Sequence, residues 1–220
     1  MIIIMLGAPG SGKGTVGNQL SEMFKIIHVS SGEIFRSYIK KHDVLGEKIR
    51  SYINKGDLVP DELAITLLEK RLQEKDVEGG VILDGYPRTK EQAIELDRLL
   101  AESGRKVDVA VNLVISDEEI VERIINRRTC PNPDCREIYN TKFKPPAVEN
   151  LCDKCGWALI IRDDDNLTTI TERLKTYHRV SENIINYYEQ KDILYSVKLN
   201  IHSDKTAADV AEEVKKHLTE

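Results

Sequence analysis

Five successive apolar residues, Ile2–Leu6, run without a break into Gly7-Ala8-Pro9-Gly10-Ser11-Gly12-Lys13-Gly14-Thr15, and an amphipathic stretch opens at Lys13. That order leaves few architectures open. A short, largely β-branched run suits a strand buried on both faces, which requires helices on both sides of a parallel sheet. Glycines in the turn let the backbone curl until its N–H groups converge. The following helix adds the partial positive charge of its N-terminus, and Lys13 adds a full one. The segment reads as a cradle for phosphate. The usual pattern places Ser or Thr directly after the lysine; here Gly14 stands there and Thr15 comes one place later.

The rest of the chain continues the alternation. Strands are predicted at Ile2–Leu6, Ile26–Val29, Val81–Leu83, Val107–Val114 and Tyr195–Ile201. Helices are predicted at Lys13–Phe24, Gly32–Lys40, Asp61–Glu74, Lys90–Glu102, Asp117–Arg128, Asn166–Gln190 and Thr206–Leu218. Ser116 and Glu119 form a capping-box pattern at the start of the fifth of these. Strands separated by helices imply an α/β fold with a five-stranded parallel sheet flanked by helices. Two stretches interrupt the rhythm. Residues 30–76 hold several helices between two strands, and 129–163 hold prolines, all four cysteines and no long periodic run. The expected division is a core of 1–29, 77–128 and 164–220 with two inserts, 30–76 and 129–163.

Cys130-x4-Cys135 and Cys152-x2-Cys155 are two close pairs, the second followed by Gly156. Four thiolates on two knuckles suit a tetrahedral zinc with no open position, hence a structural metal. Disulfides and unrelated buried thiols are the alternatives. The net charge of −5 weighs against a general nucleic-acid or anionic-membrane binder. The N-terminal apolar run is too short for a signal-peptide core or a membrane span. The expectation is a soluble, cytoplasmic protein whose cysteines bind metal or stay reduced.

The departure at Gly14 makes the phosphate loop resemble that of adenylate kinases, and the resemblance covers almost the whole chain in order. It implies a P-loop NTPase-type sheet with an AMP-binding helical insert and a zinc-ribbon-like lid. Gly10, Ser11, Gly12, Lys13, Gly14 and Thr15 would then hold ATP. Ser30-Ser31-Gly32-Glu33-Ile34-Phe35-Arg36 is similar to the family's AMP segment, with Ser31 and Arg36 as contacts and Glu33 in place of the usual aspartate. Asp57, Leu58 and Val59 resemble the stretch whose backbone lines the adenine pocket. Leu83-Asp84-Gly85-Tyr86-Pro87-Arg88-Thr89-x-x-Gln92 is the most specific match. Asp84 would hold water around Mg²⁺, Gly85, Tyr86 and Pro87 would approach the ligand, and Arg88 would clamp the AMP phosphate as a fork. Gln92 would pair with adenine, although Thr89 and Gln92 also read as a capping box.

Phosphoryl transfer needs charge neutralisation and alignment more than covalent chemistry. Arg123 and Arg127, four apart, are expected on one helical face. By resemblance Arg123 lies over the phosphates and Arg127 holds ATP, while Arg162 and Arg173 reach AMP and the transferred group. Ile138 and Tyr139 resemble the lid pair that touches the donor, and Lys205 a position whose backbone meets adenine. Cys130, Cys135, Cys152 and Cys155 match the zinc lid of the family. The implied activity is reversible Mg-dependent phosphoryl transfer between ATP and AMP giving two ADP, in a monomer without nucleic-acid or membrane partners. A related nucleoside monophosphate kinase, or a non-enzymatic nucleotide switch with a ribbon for a partner, is the alternative. Between Thr129 and Asp163 five basic residues meet five acidic ones, so the ribbon is neutral and a poor start for phosphate-backbone binding.

Overall fold

The computed structural model describes residues 1–200 and 206–219. The chain order is β1 (Ile2–Gly7), α1 (Lys13–Phe24), β2 (Ile27–Ser30), α2 (Ser31–Ile39), α3 (Val44–Lys55), α4 (Asp61–Leu72), β3 (Val81–Asp84), α5 (Lys90–Glu102) and β4 (Val109–Val114). Then come α6 (Asp117–Ile125), β5 (Arg127–Thr129), β6 (Ile138–Asn140), α7 (Leu167–Glu189), β7 (Leu194–Lys198) and α8 (Ala207–Thr219).

Five strands form one parallel sheet in the order β2-β3-β1-β4-β7. Alternation of side chains explains why its central strand is apolar throughout. Ile2, Ile4 and Leu6 join one buried cluster with Leu68, Leu96 and Tyr188 of α4, α5 and α7. Ile3 and Met5 join another with Val16 and Leu20 of α1 and Val210 and Val214 of α8. The chain leaves β1 toward one side of the sheet and crosses to the other between β3 and β4. The carboxyl end of β1 is therefore the switch point at which α/β sheets bind ligands.

Three expectations are corrected. α3 was not among the predicted helices; Asp43 caps it by accepting a hydrogen bond from Gly46 N at 2.7 Å, and Ile49 buries against Phe35 and Leu67. The helix expected over Asp117–Arg128 opens with the Ser116–Glu119 box as predicted but stops at Ile125. Asn140 Nδ2 donates to Arg123 O at 3.0 Å and Thr141 N to Asn126 O at 2.9 Å, so carbonyls that would continue the helix are taken by another strand. Arg127 thus opens β5, antiparallel to β6 with Arg127 opposite Asn140, and does not share a helical face with Arg123. The last strand spans Leu194–Lys198 instead of Tyr195–Ile201; Ile201 lies outside the described residues.

Candidate active site

The loop after β1 closes tightly on α6. At Gly10 φ is +83° and a Cβ would stand 2.6 Å from Ile124 Cγ1, so a side chain is excluded on both counts. Lys13 Nζ donates to the carbonyls of Gly7 (2.8 Å) and Ala8 (2.7 Å), and Arg123 Nη1 to that of Ser11 at 3.1 Å. β3 delivers the next group. Asp84 ends the strand, and Gly85 (φ +75°) turns the chain so closely over α2 that Ser31 Oγ donates to its carbonyl at 2.7 Å. Arg88 Nε donates to the same carbonyl, also at 2.7 Å.

These segments border one cleft of about 770 Å³. Lining it are Gly10, Gly12, Lys13, Gly14 and Thr15 from the loop; Arg36, Asp57, Leu58 and Val59 from the 30–76 region; and Asp84, Gly85, Pro87 and Arg88 after β3. Arg123, Arg127, Ile138, Tyr139, Arg162 and Arg173 also line it. Ser31, Tyr86 and Gln92 border a small adjoining cavity that Leu58, Val59, Gly85 and Arg88 share. Ser11 is fully buried beneath the loop. Lys205 lies outside the described residues. The Tyr139 side chain is turned into the cysteine cluster: its hydroxyl lies 3.5 Å from Cys152 Sγ and accepts from Asp153 N at 2.8 Å.

The electrostatics follow from crowding cations in a desolvated cleft. Burial pulls the Lys13 ammonium down to about 8 against the attraction of Asp84, and Arg88, Arg173 and Arg127 push the same way. Burial, then Arg173, lowers Arg88 to about 10. Arg162 falls to about 9 through burial and then repulsion from Arg127 and Arg36. Burial works against the Asp84 charge, yet His28, Lys13 and Arg88 outweigh it and hold the carboxyl below its ordinary range. The cleft crowds cations that repel one another and that Asp84, Asp164 and Asp165 offset only in part, which suits it to a polyanion.

Several partners were not singled out from sequence. Asp165 takes Arg127 in a two-pronged pair, with Nε–Oδ2 at 2.8 Å and a second contact from Nη2 to Oδ1; Asp164 takes Arg173 Nη1 at 2.6 Å. His28 holds Asn18 Oδ1 at 2.7 Å through Nδ1 and places Nε2 3.7 Å from Asp84 Oδ2. Glu33 pairs with Arg136 at 2.5 Å, joining α2 to the cysteine-bearing segment. The run Arg162-Asp163-Asp164-Asp165 was the one local signal for the first two; the others join residues too far apart in the chain to be paired by pattern.

The four cysteines converge. Sγ–Sγ distances are 3.4 Å for Cys130–Cys155 and 3.6 Å for Cys135–Cys152, all four sulfurs lie within 4.8 Å of one another, and none is in a disulfide. A tetrahedral ion with bonds of about 2.3 Å separates its sulfurs by about 3.8 Å. The cluster fits and could hold a metal ion.

A family model described as "Adenylate kinase" matches residues 5–193. The chain belongs to the adenylate kinase family. Proteins named adenylate kinase from Thermoanaerobacter sp. (strain X514) and from Archaeoglobus fulgidus are 43% and 46% identical over 218 and 197 residues. The alignments cover 99% of this chain and 98% of the first relative, and 90% of both chains for the second. The adenylate kinase of Pseudothermotoga lettingae is 41% identical over 219 residues, covering 100% of each chain to the nearest per cent. The family is one of phosphotransferases, and the four-cysteine cluster fits a metal-bearing lid. No helix among the described residues is long and apolar enough to cross a membrane.

Proposed function

We propose that this adenylate kinase moves the terminal phosphoryl group of Mg·ATP to AMP, giving two ADP, and that AMP is the preferred acceptor. The observation that carries this reading is the cleft itself. It joins a phosphate loop on one side to the Asp84–Arg88 turn on the other, with five arginines, Arg36, Arg88, Arg127, Arg162 and Arg173, interacting across it.

ATP phosphates would lie in the loop of Gly10–Thr15, their charge met by backbone N–H groups and Lys13. Mg²⁺ would accompany ATP as part of the substrate, and Asp84 and Thr15 would offer oxygens toward it. Arg36 and Arg88 would hold the AMP phosphate, with Ser31 and the backbone of Asp57–Val59 along the nucleoside and Gln92 at the base. Arg123, Arg127, Arg162 and Arg173 would neutralise the charge that spreads over the transferring oxygens, for which no general base is needed. Asp165 and Asp164 hold the orientation of two of these, Arg127 and Arg173, by ion pairs. Ile138 and the backbone at Tyr139 would touch the donor.

Separate small cores support the division into a core (1–29, 77–128, 164–220), a nucleotide insert (30–76) and a lid (129–163). The second packs around Phe35, Ile49 and Leu67, the third around Tyr139, Leu159 and the cysteines. Structural zinc on Cys130, Cys135, Cys152 and Cys155 would hold the lid together. We read the chain as a cytoplasmic monomer without nucleic-acid partners. A coupled assay with ATP as donor and AMP, GMP, CMP and UMP as acceptors tests the function: AMP should dominate, and comparable rates on UMP would overturn the acceptor assignment.

A further inference from the structure

Gln92, in the first turn of α5, is only 2% exposed, and both ends of its amide are already engaged. Oε1 accepts from Arg88 N at 2.8 Å, and Nε2 donates to Asp61 Oδ1 at 2.6 Å. The second Asp61 oxygen accepts from Thr89 Oγ1 at 3.0 Å. The expected capping box is therefore only half made: Thr89 Oγ1 accepts from Gln92 N at 3.2 Å, but the glutamine side chain does not return to the cap.

This arrangement removes a freedom that glutamine normally has. Turning the amide over would set Oε1 against a carboxylate and Nε2 against the Arg88 N–H, two repulsive contacts away from water. The orientation is thus dictated by its partners. What Gln92 retains for a ligand is one Nε2 hydrogen and one Oε1 lone pair, in fixed order, on the wall of the small cavity shared with Ser31, Leu58, Val59, Tyr86 and Arg88.

A donor–acceptor pair of fixed order can tell the two kinds of purine edge apart. A 6-aminopurine presents an acceptor at N1 and a donor at the 6-amino group. A 6-oxopurine presents the reverse, a donor at N1 and an acceptor at O6. A glutamine able to flip serves both; one held in place serves a single class. We propose that Asp61 is a positioning residue that, through Gln92, makes the acceptor site select 6-aminopurine over 6-oxopurine monophosphates. The inference rests on the reading that Gln92 meets the acceptor base. Arg88 contributes the other half of the hold through its backbone, so Asp61 is the half that a side-chain substitution can remove.

The test measures kcat/KM of the full chain with Mg·ATP as donor and AMP or IMP as acceptor, together with direct calorimetric titration of AMP and IMP without donor. IMP changes the 6-position and N1 without adding a 2-amino group. Asp61→Ala should lower the AMP:IMP ratio by about tenfold or more in both measurements, while KM for ATP stays within about twofold. Asp61→Asn should keep the ratio, because its side-chain oxygen still accepts from Gln92 Nε2 and the Thr89 hydroxyl can turn to accept from the new amide. If Asp61→Ala does not fold, judged by circular dichroism, Asp61→Ser takes its place. Gln92→Ala separates the two levels of the argument. If it leaves the ratio unchanged, Gln92 does not read the base and the underlying assignment falls. If it collapses the ratio while Asp61→Ala does not, the hold by Asp61 is refuted.

Discussion

Lys13 should make nucleotide binding pH-sensitive from just above neutrality. Its ammonium lies on the Gly7 and Ala8 carbonyls, and burial is the largest reason its pKa falls from 10.5 to about 8. At 1.36 kcal/mol per unit, the difference corresponds to at most about 3 kcal/mol against carrying the charge in the buried loop. The folded pKa lies below the unfolded one. Between about 8 and 10.5 the unfolded chain therefore binds more protons, and this group's contribution to stability rises with pH across that window; its cost is complete below about 8. Binding runs the other way, because a bound polyphosphate stabilises the ammonium. Above about pH 8 the site must take up a proton to bind, so affinity should fall by up to about tenfold per pH unit, and at about pH 9.5 should be roughly 30-fold below its neutral value. The assay is calorimetric titration with a non-hydrolysable Mg·ATP analogue at about pH 7 and pH 9, in buffers of different ionisation heat. Nearly one proton should be absorbed per analogue at the higher pH, and Lys13→Met should abolish the uptake. Flat affinity with no proton uptake in the unmodified protein would refute the reasoning.

Asp165→Ala strands the Arg127 guanidinium, which is 14% exposed against a carboxylate with no exposure. It should cost about 3–5 kcal/mol, read as a fall in Tm of roughly 10 °C. Gly10→Ala must place a methyl group 2.6 Å from Ile124 Cγ1 at positive φ, so thermal denaturation should show a loss of at least about 1–3 kcal/mol and the ATP analogue should bind more weakly. Elemental analysis should find one zinc per chain, and chelation or Cys152→Ser should lower Tm while activity at low temperature falls only partly, because the groups proposed to meet the phosphates, Lys13 and the arginines, are not among the four thiolates. Metal-free, fully reduced protein with an unchanged Tm would show that the cysteines are not a staple.

Local chemistry determined a great deal of this protein. α1 and α5 begin and end where periodicity places them, since Lys13–Phe24 and Lys90–Glu102 carry their own amphipathic faces, and Thr89 caps the second. The tight Gly7–Thr15 turn closed by Lys13 and the pairing of the cysteines were legible because glycine, lysine and thiol act there through near neighbours in the chain. The apolar run of β1 implied a sheet covered on both sides, and the two clusters that divide its residues follow from strand geometry alone. What tertiary structure decided is which distant groups meet. Arginine favours helix, so Arg127 and Arg128 give no signal that α6 stops at Ile125; Asn126 caps the helix locally through Glu122 O, and Asn140 completes the stop by bonding the Arg123 carbonyl from another strand. Asp165 neutralises Arg127 across 38 positions, and Asp61 reaches Gln92 across 31. The strand order belongs with these, because parallel strands are joined by crossovers whose direction depends on packing over the whole sheet. Short-range propensity settles which element a segment becomes; long-range complementarity of charge and hydrogen bonds settles which residues share the cleft.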